Sequence, residues 1–148
     1  MKKIIASLIL FAGAATNLAF ADTPINQSEL PQAAQTFIAT YFSGEQVRKV
    51  EKDHGRRGVQ YEVEFISKAE IDFDANGEWR EVKAARGTSV PEGIVPEAIA
   101  NYVSTNFPGI AVKEISRKRG GFEVELTNGS ELHLTADGKP MQPRRAHR

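Results

Sequence analysis

Alternating glutamates are the side chains in this sequence whose type and spacing suggest chemistry. They occur twice, as Glu62 and Glu64 in YEVEF and as Glu123 and Glu125 in FEVEL. Alternate residues of a β-strand point to the same face, with Cα atoms about 7 Å apart. Paired carboxylates at such distances act as acid and base in glycoside hydrolases. Alternating glutamates also keep a strand face soluble, and Trp79 is the one aromatic residue that suits a sugar platform. A carboxylate-dependent hydrolase is therefore the weaker alternative.

Oxygen-bearing side chains also cluster in residues 72–77, DFDANG. This segment matches the first half of an EF-hand calcium loop, in which Asp72, Asp74 and Asn76 would be ligands. The twelfth position of such a loop needs a glutamate, but Lys83 occupies it, and the flanking segments have the alternation of strands. We therefore predict a hairpin turn, with calcium binding as an alternative, and we predict no metal site and no cofactor.

Other catalytic side chains lack the spacing that their chemistry requires. The histidines His54, His133 and His147 contain no i, i+4 pair, which excludes a zinc-binding helix of that kind. The sequence contains no cysteine and no Gly-x-Ser-x-Gly nucleophile elbow. We therefore predict no catalytic residues and a protein that is not an enzyme.

The composition is that of a globular protein. The 148 residues are 41% hydrophobic and 26% charged, with a formal net charge of +0. A neutral chain argues against nucleic acid as a partner, because nucleic-acid binding depends on excess positive charge. The absence of cysteine excludes disulfides, thiolate zinc sites and lipid attachment through cysteine.

The first residues have the pattern of an export signal. Lys2 and Lys3 precede an apolar run over residues 4–11, and Ala19 and Ala21 fit the small-residue rule for cleavage. We predict a signal peptide over residues 1–21, cleaved before Asp22, and a periplasmic or secreted product. No other segment is long and apolar enough to span a bilayer, so no stable membrane insertion is expected after cleavage.

The rest of the chain contains an internal repeat. LPQAA at residues 30–34 corresponds to VPEAI at 95–99, YEVEF at 61–65 corresponds to FEVEL at 122–126, and EIDF at 70–73 corresponds to ELHL at 131–134. We predict a first repeat over residues 22–84, a linker over 85–94, a second repeat over 95–140 and a basic tail over 141–148.

Each repeat is predicted to begin with an amphipathic helix and to continue with strands. Proline near each helix start (Pro31 and Pro96) suits the first helical turn, and period-two alternation predicts the strands. Asn-Gly and Asp-Gly pairs at 76–77, 128–129 and 137–138 predict hairpin turns. The predicted fold class is α+β, with two tandem α-β-β-β(-β) repeats whose helices each pack on one face of an antiparallel sheet. We expect a core that includes Phe37, Val63, Tyr102 and Val124.

The order of these motifs resembles the PepSY-like periplasmic domains. The likeness rests on LP with FIATYF in residues 30–42, YEVE at 61–64, DANGEW at 74–79, VP with YV at 95–103, and GFEVELTNG at 121–129. Members of that family resemble the fold of the β-lactamase inhibitory protein, in which two helix-plus-sheet repeats form a solvent-facing sheet surface. The resemblance implies a non-enzymatic module that binds proteins or ligands as an inhibitor or regulator.

Strand alternation predicts which side chains such a surface carries. Eight of them should point away from the helices: Glu62, Glu64, Glu70, Asp72, Glu123, Glu125, Glu131 and His133. Like charges side by side on a sheet are mildly destabilising, and Lys49, Lys113 and Lys118 on adjoining strands would relieve only part of the repulsion. We therefore predict that these eight residues bind a protein or cationic ligand of the cell envelope.

Overall fold

The computed structural model describes residues 22–142. The predicted signal peptide and residues 143–148 of the predicted tail lie outside this range. Among the described residues are two α-helices, α1 (Gln32–Tyr41) and α2 (Glu97–Asn106), and a short 3-10 turn at Gln27–Glu29. The strands are β1 (Thr23–Pro24), β2 (Val47–Gly55), β3 (Gly58–Phe65), β4 (Glu70–Asp74), β5 (Trp79–Lys83), β6 (Val112–Lys118), β7 (Gly121–Leu126) and β8 (Glu131–Thr135).

The strands form one antiparallel sheet in sequence order, from β1 to β8. The two repeats join edge to edge, because β5 pairs with β6 through Glu81–Ser116, Val82–Ile115 and Lys83–Glu114. The fold is therefore α+β, as predicted from the repeat. The short β1 and the edge-to-edge joining were not predicted.

The strand registers show that the repeat is a structural duplication. Glu62 faces Asp72 in the first repeat, and Glu123 faces His133 in the second. The irregularity between Val47 and Lys49 of β2 recurs in β6, between the corresponding Val112 and Glu114. The two repeats therefore place corresponding side chains at corresponding sites of the sheet.

Both helices cover the same face of the sheet. Ala34 and Ile38 of α1, and Ile99 and Val103 of α2, belong to one cluster of buried residues that also contains one face of the strands. Val63 and Val124 are fully buried, as expected.

Phe37 and Tyr102 were predicted to be core residues, but both are only partly buried. Each lies on the flank of its helix rather than at the centre of the helix–sheet contact. The Phe37 ring makes an edge contact with the ring of Phe73 at 5.6 Å and a tilted contact with that of Tyr41 at 4.9 Å between centroids.

Pro31 and Pro96 are N-cap residues rather than residues of the first helical turn. Their carbonyl oxygens accept the backbone N–H groups of Gln35 at 3.1 Å and Ala100 at 2.9 Å. A cap position suits proline, because no hydrogen bond is required from its nitrogen.

Two turn glycines fix the distance between sheet and helices. Gly77 has φ +81°, and a Cβ atom there would lie 2.8 Å from the backbone nitrogen of Ala34 in α1. Gly138 has φ +79°, and its Cβ would lie 2.5 Å from the carbonyl oxygen of Ala98 in α2. Each turn needs glycine for its conformation and for the close approach of a helix.

Residues 85–94 connect the repeats while packing on the core. Ala85, Val90 and Ile94 are buried, and the backbone N–H of Val90 donates to the carbonyl of Val112 at 2.8 Å.

Neither of the described α-helices has the length and apolar character needed to cross a membrane.

Candidate binding surface

The face of the sheet opposite the helices, here called the open face, carries two rows of polar side chains. Each row follows directly from the pairing of neighbouring strands. One row consists of Glu51, Glu62, Asp72, Glu81, Ser116, Glu123 and His133. The other consists of Lys49, Glu64, Glu70, Lys83, Glu114, Glu125 and Glu131. The structure thus brings all eight predicted residues onto one face.

Carboxylates toward the ends of the rows are paired with basic side chains. Glu64 lies between Arg48 and Lys68, and its oxygen is 2.9 Å from the Lys68 nitrogen. Hydrogen bonds from Arg48 and Lys68 lower the pKa of Glu64 to about 2. In the second repeat, Lys113 lies 2.7 Å from Glu125. These carboxylates already have local counter-ions.

The middle of the open face lacks such pairing. Glu62, Asp72, Glu81 and Glu114 lie on four consecutive strands, β3 to β6, and among the described residues none of them forms an ion pair with a basic side chain. We call these four residues the acidic centre. It crosses the junction between the repeats.

Three members of the acidic centre, Glu62, Asp72 and Glu114, have raised pKa values. Burial raises the pKa of Asp72 to about 6, and the charges of Glu62, Glu70 and Glu114 add to this effect. Burial also raises the pKa of Glu62, with contributions from Glu51 and Glu70. The pKa of Glu114 is raised by burial and then by the adjacent Glu81. The charges of Lys49 and Lys83 offset only part of the rise at Glu62 and at Glu114, so a cation placed here would relieve the remaining repulsion.

Glu81 and Glu114 were missed by the sequence analysis, as was Glu51 in the same row. All three lie in strands with the same alternation as the predicted residues. The approach of Glu81 and Glu114 to Asp72 depends on the register of β4 with β5 and on the β5–β6 pairing, whereas Glu51 lies opposite Glu62 in the β2–β3 pairing. Strand alternation predicts a face but does not predict which strands are neighbours.

The DFDANG segment consists of the last three residues of β4 and the start of the turn that leads to β5. Asp74 Oδ1 accepts the backbone N–H groups of Asn76 at 2.9 Å and Glu78 at 3.0 Å, and the N–H of Gly77 donates to the Asp74 carbonyl at 3.0 Å. The predicted hairpin turn is confirmed. One carboxylate oxygen of Asp74 therefore already has a structural role.

Glu64 is poorly suited to act as a general acid. In the Glu62 and Glu64 pair, the pKa of Glu64 is about 2. A general acid must carry a proton at working pH, so Glu64 would be a poor donor.

Two basic residues of the sheet contact aromatic rings. Lys52 and Arg117 hold corresponding positions in β2 and β6, and both lie over aromatic rings. The Lys52 nitrogen is 5.9 Å from the Tyr61 ring centroid, and the Arg117 guanidinium is 4.1 Å from that of Trp79. Lys113 and Lys118 do lie near glutamates of β7, as expected, whereas Lys49 pairs with Glu51 of its own strand.

Solved structures of bacterial proteins share this fold. A "putative periplasmic protein" of the DUF2874 family from Bacteroides vulgatus superposes with a TM-score of 0.79 at 35% identity, covering 84% of this chain and 97% of that one. A "putative calcium-regulated periplasmic protein" from Bacteroides thetaiotaomicron has a TM-score of 0.77 at 36% identity, covering 82% and 94%. A second Bacteroides vulgatus protein, described as a "putative periplasmic protein of unknown function", has a TM-score of 0.76 at 29% identity, covering 82% and 98%.

These relatives support a periplasmic location. No curated protein matches the chain. The family model described as "Putative beta-lactamase-inhibitor-like, PepSY-like" matches residues 18–59 and 59–141, which together include nearly all the residues that the structure describes. With its two helix-plus-sheet repeats in one antiparallel sheet, the chain belongs to the PepSY-like family.

Proposed function

We propose that this protein is a non-enzymatic periplasmic binding module that inhibits or regulates another envelope protein. The binding surface is the open face, with the hairpin loops at its edges. The partner presents a basic patch to the acidic centre.

The observation that carries this proposal is the unpaired acidic centre. Most carboxylates around it have a lysine or arginine partner, whereas Glu62, Asp72, Glu81 and Glu114 have none among the described residues. The raised pKa of Asp72 means that its ionised form is disfavoured in the folded chain. Groups perturbed in this way occur preferentially at functional sites. A basic patch on a partner would supply the missing counter-charge.

The comparisons support the location and the general role. The structural relatives are described as periplasmic, which is the location expected for a chain with the predicted signal peptide. The family description likens the chain to β-lactamase inhibitors. An inhibitor acts by occupying a surface of its target, which suits an exposed sheet face better than a catalytic pocket.

Capture of envelope proteins by matched variants tests the proposal. The first variant carries Glu62→Gln, Asp72→Asn and Glu114→Gln. The control carries Glu78→Gln, Glu92→Gln and Glu97→Gln, at exposed positions off the open face. Both variants change the net charge equally, and loss of repulsion should stabilise the first, so misfolding would not explain lost binding.

We expect wild type and control to retain the same partner at low salt and the first variant to lose it. Binding should also weaken as salt shortens the Debye length from about 10 Å at 0.1 M. Equal capture by the first variant would contradict a binding role for the acidic centre.

A calcium-responsive protein is the second candidate function. The relative from Bacteroides thetaiotaomicron is described as calcium-regulated, and Asp72 and Asp74 are alternate residues of β4, so both side chains lie on the open face. Calcium favours carboxylate and carbonyl oxygens.

Melting curves with calcium or with chelator test this second candidate. Calcium binding would raise the melting temperature, because a ligand of the folded state stabilises it. Asp72→Asn should abolish that rise, whereas Asp137→Asn should leave it intact. A melting temperature that calcium leaves unchanged would exclude the calcium-responsive candidate.

A further inference from the structure

We infer that Glu123, Glu131 and His133 form a site for a divalent transition-metal ion of the zinc type on the open face of the second repeat. This inference goes beyond the proposed function and does not depend on it. It concerns the β7–β8 hairpin rather than the acidic centre.

The register of the hairpin brings the three side chains together. Glu131 and His133 are alternate residues of β8, and Glu123 lies directly opposite His133 on β7. The imidazole lies between the two carboxylates, with Nε2 3.1 Å from Glu131 Oε1 and Nδ1 3.9 Å from Glu123 Oε2. One ligand atom from each residue lies within 4.8 Å of the other two.

These separations are close to those of a zinc site. With zinc–nitrogen and zinc–oxygen bonds of about 2.0–2.1 Å, neighbouring ligand atoms of a tetrahedral site are about 3.3 Å apart. A single ion binds only one of the two imidazole nitrogens, and the ligand atoms lie within 4.8 Å of one another. Closing the site therefore requires shifts of up to about 1.5 Å, which exposed side chains can make by changes of rotamer. Three protein ligands leave a fourth position for water.

The donor set distinguishes this site from the calcium candidate. Imidazole nitrogen suits zinc, copper and nickel, whereas calcium and magnesium prefer oxygen alone. The corresponding positions of the first repeat are Glu62, Glu70 and Asp72, which offer only carboxylates. Among the described residues, the second repeat holds the group that converges on a metal position. The first repeat therefore offers a matched set of oxygen ligands with which the second repeat can be compared.

Lys118 is the competing cation at this site. Its nitrogen lies 3.9 Å from Glu123 Oε2, so an incoming metal ion must displace it. The Lys118 side chain is exposed and can move into solvent. Removing its charge should therefore strengthen metal binding.

Calorimetric titration of the purified protein with zinc, without an affinity tag, tests the inference. All proteins compared carry His147→Gln, so that the C-terminal histidine does not contribute. We expect saturable binding of one zinc ion, weakened roughly tenfold or more by His133→Gln and by Glu131→Gln. His54→Gln is the matched control, because His54 is exposed at the β2–β3 hairpin, and it should change the affinity by less than about twofold.

Two further variants sharpen the result. Lys118→Met should increase zinc affinity, and His133→Asp, which recreates the residues of the first repeat, should lower zinc affinity relative to calcium affinity. Absence of saturable zinc binding, or equal affinity in wild type and His133→Gln, would overturn the inference. The titration needs no partner protein, so its failure would leave the proposed function standing, and failed partner capture would leave the metal site standing.

Discussion

Asp72→Asn should make the protein more stable at neutral pH. Asp72 lies on β4 in the acidic centre, where burial and three neighbouring carboxylates raise its pKa from 3.8 to about 6. A raised carboxyl pKa means that ionisation costs folding free energy. The cost is absent below the unfolded pKa and complete above the folded pKa. Asparagine has nearly the same shape and no charge, so the substitution should remove the cost.

The expected gain follows from the size of the shift. Each pKa unit corresponds to about 1.4 kcal/mol, so a shift from 3.8 to about 6 sets an upper value of about 3 kcal/mol. Asp72 is partly exposed, and solvent screening reduces this to about 2 kcal/mol. For a domain of this size, the melting temperature should rise by roughly 6 °C.

Urea unfolding across a pH series measures this effect. The gain from Asp72→Asn should be complete at about pH 7.5, shrink as the pH falls through about 6, and almost vanish near pH 3.8. Asp137→Asn is the control, because hydrogen bonds from Thr135 and Lys139 lower the pKa of Asp137 to about 2. Its ionised form is favoured, so neutralising it should not stabilise the protein. Equal stability of wild type and Asp72→Asn at neutral pH, or a gain that persists undiminished in acid, would show that ionised Asp72 does not destabilise the folded protein.

Two further predictions concern packing. Gly77→Ala should lower the free energy of unfolding by about 3 kcal/mol or more, because backbone strain adds to a clash with α1. Gly87→Ala is the control, with similar φ and nothing within 4 Å of its Cβ, and it should cost only about 1 kcal/mol. Equal losses in urea unfolding would contradict the close approach of Gly77 to α1. Ile99→Ala should lower the free energy of unfolding by about 2–5 kcal/mol, because Ile99 is fully buried. Tyr102→Ala, at a partly buried position, should lower it less. The reverse order in thermal unfolding would show that α2 packs by another face.

Much of the fold was predictable because the sequence repeats itself. Two blocks with the same order of helix, strand and turn predicted the same unit twice, and the registers of β3 with β4 and of β7 with β8 confirm it. Alternation around Glu62 and Glu123 placed both residues on the face opposite the helices. These patterns are local, and each is read from a few consecutive residues.

The remainder depended on contacts between distant segments. Phe37 was expected in the core from its helical spacing. In α1, however, the face that is fully covered by the sheet is formed by Ala34 and Ile38. Glu114 became part of the acidic centre through the pairing of β5 with β6. The proximity of His133 to two glutamates likewise required side-chain positions. Spacing rules for helical metal sites gave no indication of it.

If the acidic centre binds the basic surface of a partner, the rate of association with the captured partner depends on that charge and on salt. The rate is measured against ionic strength for wild type and for the variant carrying Glu62→Gln, Asp72→Asn and Glu114→Gln. Complementary charge acts mainly on association rate. We predict fast association by wild type that slows steeply with salt, and slower, nearly salt-independent association by the variant. Equal rates with equal salt dependence would show that the acidic centre does not bind the partner.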